Sequence, residues 1–362
     1  MKILFITLEQ SGRQIVKSLL DDNFFIDNKN QIFTFGMRKN YKEFTDLTNI
    51  KLHSIMGIVN IILNLKYLFN LRSEINKIVE NNNFTHIFFV DSFDFSKFYL
   101  KKFKSNKIRY CQVVGPSVFI WNSNKANFIN KNFDMIFSIF NIEKKYYKPD
   151  IYSYIGHPLK NKAYHSKNYN NDIKNLGFFL GSRRQEIYKN INIIKNLILS
   201  LNFQKDLIFN FFVVDEFNDF IKNSFNGISN IHFHSNDDLY YQKISKLDFA
   251  FACSGTVHLE LCFSNIPHLI FYKANIINYL FFKLLVKSQY ISLINIFNKK
   301  EIVKEFVQKD FTVKNLMSYF LTLKSNKNIF KKYRDEMSEG LIKSNFKNFR
   351  PNKITDYLEK FS

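Results

Sequence analysis

Short apolar runs recur along this chain, most closing on a small, acidic or hydroxyl-bearing residue, and most followed by a stretch with helical spacing. The first half offers Lys2–Leu8, Gln31–Phe35, His86–Val90, Ile108–Val114, Met135–Phe140 and Tyr152–Ile155. The second offers Leu176–Leu180, Leu207–Val214, Ile231–His234, Leu247–Cys253 and Pro267–Tyr272. Between them lies a polar stretch, Lys160–Asn175, rich in Asn, Lys and Tyr. Strands that alternate with helices in this way close as parallel sheets covered on both faces, because a parallel crossover needs the length of a helix. The fold class is therefore α/β, with two Rossmann-like doubly wound domains facing a cleft. The first domain is expected at 1–159, a linker at 160–175 and the second domain at 176–325, with C-terminal helices at 326–362 folding back on the first.

Helical spacing is found at Arg13–Leu20, Leu71–Glu80, Tyr188–Leu201, Glu301–Gln308, Val313–Leu323, Ile329–Lys343 and Ile354–Phe361. Two further segments, Ser54–Leu71 and Ile276–Val286, are strongly apolar. Each reads either as a core helix or as a surface that meets lipid. Ile276–Val286 is interrupted by Asn278 and Lys283 and is too short to span a bilayer.

Ligands of doubly wound folds bind beyond the carboxyl ends of the strands, and the chemically able residues of this chain gather there. The run FAFAC ends at Cys253, Ser254-Gly255-Thr256 makes a tight turn, and a helix begins whose unbonded N–H groups form a seat for phosphate. Glu260 follows one turn later, within reach of a sugar hydroxyl. Gly181-Ser182-Arg183 repeats the arrangement and adds a permanent cation, although Arg183 has an alternative partner in Glu186. Such donors suit a diphosphate leaving group without a metal. In the first half Asp91 closes a buried strand, where desolvation favours the proton-binding form that a general base needs. Capping the next helix is its other reading, and Asp94 shares both. Gly115-Pro116-Ser117 and Gly156-His157-Pro158 are turns that can also touch a ligand, whereas His232 and His234 read as structural.

The 362 residues include 43 phenylalanines and carry a formal net charge of +21. That surface attracts phosphates and anionic lipid, but without a long basic block nothing resembles a nucleic-acid-binding tail. Cys111, Cys253 and Cys262 have no C-x-x-C spacing, which disfavours disulfides and zinc and fits a reducing cytosol. Walker, G-x-G-x-x-G and H-E-x-x-H motifs are absent. Met1–Gln10 reads as a first strand and not as a signal peptide.

With those residues in hand, the chain resembles the lipid-A-disaccharide synthase family of GT-B-type inverting glycosyltransferases. The marks are E-x-S-G at Glu9, Ser11 and Gly12, I-M-G-I-V from Ile55 to Val59 and D-x-x-D-F from Asp91 to Phe95. They continue with G-P-S-V-x-x-W from Gly115, Pro116 and Ser117 to Trp121, I-G-H-P around His157 and G-S-R-x-x-E from Gly181 to Glu186. S-G-T-x-x-L-E from Ser254 to Glu260 and the run Lys283–Asn295 complete them. The chain departs from the pattern at Arg13, Asn60, Asn122 and Leu180. The resemblance implies transfer of diacylglucosamine from UDP-diacylglucosamine to diacylglucosamine 1-phosphate, giving a β-1,6 disaccharide and UDP, with no metal or other cofactor. It puts the UDP on Gly181, Ser182, Arg183, Ser254, Gly255, Thr256, Glu260 and Asn295, and acceptor activation on Asp91 or Asp94. Glu9, Ser11, Gly12, Gly115, Pro116, Ser117, Trp121 and His157 would line the acceptor side of the cleft. Ile55, Met56, Ile58, Leu280, Phe281 and Phe282 would meet acyl chains and the inner face of the cytoplasmic membrane. A homodimer is compatible with that reading, and nucleic acid is not an expected partner. The rivals are a GT-B relative using another UDP-sugar or acceptor, a UDP-sugar 2-epimerase, and a non-catalytic binding protein that keeps the nucleotide site.

Overall fold

Parallel pairing runs through both sheets of the protein. The structure, a computed structural model, describes residues 1–21, 25, 31–37, 44–52, 64–120, 123–163, 172–273 and 288–361. The chain separates into two units, Met1–Pro158 with Lys347–Ser362, and Leu159–Leu280 with Ser288–Phe346.

The first unit contains β1 (Lys2–Thr7), α1 (Gln10–Leu20), β2 (Gln31–Phe35), β3 (Thr45–Asp46), α2 (Leu65–Asn82), β4 (His86–Val90) and α3 (Phe93–Phe103). It continues with β5 (Arg109–Val113), α4 (Asn124–Asn132), β6 (Met135–Ser138) and β7 (Tyr152–Tyr154). Its sheet runs β3-β2-β1-β4-β5-β6-β7. All five residues of β4 are buried, which is why that strand reads as HIFFV without alternation: both of its faces are covered.

The second unit contains α5 (Pro158–Lys162), β8 (Asn175–Phe179), α6 (Arg184–Leu201), β9 (Ile208–Phe212), α7 (Asn218–Ser224), β10 (Ile231–His234), α8 (Tyr240–Ile244), β11 (Phe249–Cys253) and α9 (Val257–Phe263). There follow β12 (His268–Tyr272), α10 (Leu293–Asn298), β13 (Glu305–Val307), α11 (Val313–Ser325) and α12 (Lys327–Lys343). Its sheet runs β10-β9-β8-β11-β12-β13. Phe178 stacks between Phe211 and Phe251 at centroid distances of 5.1 and 5.0 Å, a row of rings across three neighbouring strands. Each such buried ring contributes about 1.5–3 kcal/mol.

In each sheet the chain starts near the middle, builds out to one edge, then returns to build the other. The reversal falls between β1 and β4 in one unit and between β8 and β11 in the other. Connections leave these neighbours in opposite directions, and the crevice opened between them is where doubly wound folds bind ligands.

Several expected elements differ. Leu65–Asn82 is a single helix across the boundary expected at Leu71, because Leu71, Ile75 and Val79 form one buried stripe. Glu301–Gln308, expected as a helix, instead supplies β13, whose Glu305, Phe306 and Val307 pair with Ile270, Phe271 and Tyr272. Most of Ser54–Leu71 and the whole of Ile276–Val286 lie outside the described residues, as do Ile55, Met56, Ile58, Trp121, Leu280, Phe281 and Phe282. The fold-back expected from 326 is divided. Helix α12 belongs to the second unit, its Tyr333 Oη donating to His268 O at 2.5 Å. Residues from Lys347 onward, with α13 (Asn352–Glu359), belong to the first. There Arg350 N donates to Ile155 O at 2.7 Å, and the Tyr357 ring meets Phe137 edge-on at 5.7 Å.

Candidate active site

Both reversal points carry the residues singled out from the sequence. In the second unit Gly181 follows β8 with φ of +109°, a left-handed conformation that glycine adopts without strain. The Glu186 carboxylate accepts from the backbone N–H groups of Ser182 and Arg183 at 3.2 and 3.3 Å, which fixes the turn. Its other oxygen accepts from Arg183 Nη1 at 2.6 Å, so the pairing within the following helix is real. Arg183 nevertheless remains about half exposed. Among the described residues that pairing engages one of its five guanidinium N–H donors.

Next to it β11 ends at Cys253, and Ser254 N donates to Phe271 O at 3.0 Å. The helix that follows, α9, has only seven residues, so its macrodipole is small and the local N–H groups of Gly255 and Thr256 matter more. A β-carbon on Gly255 would meet nothing within 4 Å, leaving the turn open. Glu260 is half-buried on α9 and accepts from two phenols, Tyr240 Oη on Oε2 at 3.1 Å and Tyr241 Oη on Oε1 at 3.2 Å. Burial pushes the Glu260 carboxyl up, while the two tyrosine hydroxyls and Lys162 pull it down. Neither tyrosine stands out in LYYQKI, because only the return of α8 beside α9 brings them to Glu260.

Asn295, expected to help form the donor site, is fully buried. Its Nδ2 donates to Val303 O and Glu305 Oε1, and its Oδ1 accepts from Ile302 N and Val303 N. With both amide ends saturated it acts as a clamp between α10 and β13, not as a direct ligand.

His258, inside the α9 motif, is buried with Cys262 and His268, the one group of three such side chains within ligand range among the described residues. Its Nδ1 lies 2.8 Å from His268 Nε2, a hydrogen-bond distance. Because His268 Nδ1 is bonded to Ile266 O, the shared proton is assigned to His258. Burial pulls both rings down, His268 to about 4.

In the first unit Asp91 stands at the end of β4 with φ of +60°. Ser11 Oγ donates to its Oδ2 at 2.6 Å across the reversal, and Ser92 N donates to its Oδ1 at 2.9 Å. A β-carbon on Gly12 would lie 2.3 Å from Thr7 Oγ1 and 3.0 Å from Val90 O, so α1 approaches the sheet only with glycine there. Arg13 Nε donates to Gly36 O at 2.6 Å, tying α1 to the end of β2. Asp94 is different. It is 74% exposed and both of its oxygens face Lys125 Nζ at 2.9 Å, which makes it a helix-surface ion pair rather than a second candidate base.

The turn Gly115-Pro116-Ser117 is bracketed by left-handed Val114 and Ser117. Beneath it lies a residue the sequence did not reveal. Glu143 is wholly buried, accepting from Ser138 Oγ at 2.6 Å and Val118 N at 3.3 Å. Burial pushes its carboxyl up to about 7. A β-carbon on Gly115 would sit 2.7 Å from Glu143 Oε2 and 2.9 Å from Tyr147 Oη, so glycine is required for the turn to close over this carboxyl. His157, expected on the acceptor side of the cleft, is buried, and its ring lies 5.7 Å from Phe140. Desolvation pulls it to about 4, and it packs within its own unit instead of presenting a group to solvent.

A sequence profile described as lipid-A-disaccharide synthetase matches residues 3–356. The chain is similar to the lipid-A-disaccharide synthase of Aquifex aeolicus, at 29% identity over 322 residues, covering 85% of this chain and 87% of that one. It is also similar to the lipid-A-disaccharide synthase of Campylobacter jejuni serotype O:2, at 31% identity over 282 residues, covering 73% and 74%. Among solved structures, the UDP-GlcNAc 2-epimerase of Neisseria meningitidis bound to UDP-GlcNAc matches with a TM-score of 0.61, covering 99% of this chain and 100% of that one. At 13% identity that likeness concerns the fold alone.

Proposed function

The chain belongs to the lipid-A-disaccharide synthetase family and is a glycosyltransferase of GT-B fold that makes the lipid A disaccharide, and we propose that it moves 2,3-diacylglucosamine from UDP to 2,3-diacylglucosamine 1-phosphate. The single observation that carries this reading is the family match along residues 3–356, which takes in the switch-point loops of both units.

In this reading Asp91 accepts the proton of the acceptor's 6-hydroxyl. The freed oxygen bonds to the donor's anomeric carbon, and the bond from that carbon to the β-phosphate oxygen breaks, releasing UDP. Ser11 Oγ and Ser92 N aim the Asp91 carboxylate. Arg183 and the N–H groups of Gly255 and Thr256 take up charge developing on the diphosphate, which requires no metal. Glu260 accepts from the ribose hydroxyls.

Peripheral attachment to the inner face of the cytoplasmic membrane belongs to the same proposal. It is supported by the net charge of +21 and by the apolar composition of Ser54–Leu71 and Ile276–Val286. Among the described residues no helix is long and apolar enough to cross a membrane.

The test is UDP release by the purified protein with donor alone, acceptor alone and both together. Release that requires both lipids supports the transferase. Release with donor alone, accompanied by free sugar, would point instead to epimerase-like chemistry. Retained UDP binding without release would leave a binding protein.

A further inference from the structure

Glu260 has two carboxylate oxygens, and each receives one phenolic hydrogen bond from consecutive residues of the same short helix. Consecutive helical residues normally diverge by 100° around the axis and do not converge on one group. Here both hydroxyls reach Glu260, and the two rings stand perpendicular, with centroids 5.2 Å apart and an interplanar angle of 87°. Tyr240 is held in turn by an edge contact to Phe212, itself stacked on Phe179. A carboxylate oxygen has two lone-pair sites. One on each oxygen is taken by a tyrosine, so one on each remains, in a plane fixed by the phenols.

We propose that Tyr240 and Tyr241 are positioning residues that set the Glu260 carboxylate for simultaneous acceptance of two vicinal hydroxyls, giving the nucleotide site its selectivity for ribose over deoxyribose. The inference rests on the assignment of Glu260 to the ribose. Among the described residues, the charged and titratable groups facing Glu260 are the two tyrosines on α8 and Lys162 on α5. Burial and the adjacent Glu260 push both phenols up, so both act as donors throughout the working pH range. They oppose the desolvation that would otherwise protonate the carboxylate.

Calorimetric titration of the full chain with UDP and with 2′,3′-dideoxyuridine 5′-diphosphate separates the possibilities. Wild type should bind UDP at least tenfold more tightly than the dideoxy compound. Tyr240→Phe and Tyr241→Phe should each reduce that ratio severalfold, and the double variant should bring it near unity. Their affinity for the dideoxy compound should stay within twofold of wild type, which also reports that the fold and the diphosphate seat are intact. The acid-side loss of UDP affinity should move to higher pH in each variant than in wild type, the ligand's own titration being common to both. A wild-type ratio near unity would remove Glu260 from the ribose and the proposal with it. A wild-type ratio of tenfold that survives both substitutions would keep the ribose assignment and overturn the role of the tyrosines.

Discussion

Replacing Glu143 by Gln isolates the energetic consequence of burying a carboxyl under the Gly115 turn. In the folded protein the group keeps its proton to about pH 7, whereas in the unfolded chain it loses it near 4.5, the ordinary value for a glutamate. Between those values the folded state binds the extra proton, so this residue's contribution to stability is fully present below pH 4.5 and is lost as pH rises through 7. Linkage between pH 5 and pH 8 then amounts to about 2.5 kcal/mol lost from wild type at this one site. Glutamine has no proton to lose. Its Nε2 can donate to Ser138 Oγ while that hydroxyl donates to Phe140 O, a bond already present at 3.0 Å, and its Oε1 can keep the Val118 N–H. Urea unfolding of both proteins at pH 5 and pH 8 gives the double difference, in which all unaltered groups cancel. Glu143→Gln should gain about 2.5 kcal/mol on wild type across that interval. An unchanged difference at the two pH values would mean that Glu143 ionises like a surface carboxyl, and the account of the turn closing over a buried proton would fall.

Three further outcomes follow from the same geometry. Asp91→Asn should lower kcat by about 10²–10⁴-fold while UDP affinity stays unchanged, whereas Asp94→Asn, altering only an exposed ion pair, should retain near-normal turnover; steady-state kinetics on both variants decides between the two carboxylates. Gly255→Ala should leave the melting temperature nearly unaltered because its β-carbon meets nothing, yet weaken UDP binding, while Gly12→Ala, meeting Thr7 Oγ1 and Val90 O, should cost about 1–3 kcal/mol in thermal or urea unfolding. His157 is neutral when folded down to about pH 4 but charges near 6.5 when unfolded, so its contribution is complete above 6.5 and fades as pH falls. His157→Gln should therefore gain about 2 kcal/mol relative to wild type between pH 7 and pH 5, measured by urea midpoints.

The architecture was legible because a strand buried on both faces has to be written as an unbroken apolar run, as HIFFV and FAFAC are. The loops that follow those runs were legible for the same reason, and they include Asp91, Gly181 and Ser254. What escaped notice depends on neighbours distant in sequence. Glu143 sits in NIEKKY, which looks like a solvated charged turn, and only the pairing of β5 with β6 places it beneath Gly115. Tyr240 and Tyr241 acquire a role only through Glu260, some twenty residues on. In Glu301–Gln308, Ile302, Val303, Phe306 and Val307 have helical spacing, but Phe306 and Val307 lie in β13, whose register is set by β12. Asn295 and His157 mislead in the opposite sense. A polar residue within a family motif invites a ligand role, while burial places each in the scaffold, and for Asn295 saturated bonding does so as well.

The first unit takes its last pieces from the far end of the chain, where Arg350 reaches Ile155 and Tyr357 packs on Phe137. During synthesis the second unit, which closes by Phe346, has all its strands available before the first can be completed. The usual order, in which the N-terminal domain folds first as the chain emerges, is thereby reversed for the final step. Until residue 347 and those after it leave the ribosome, the part of the first sheet against which Tyr357 packs has no such cover.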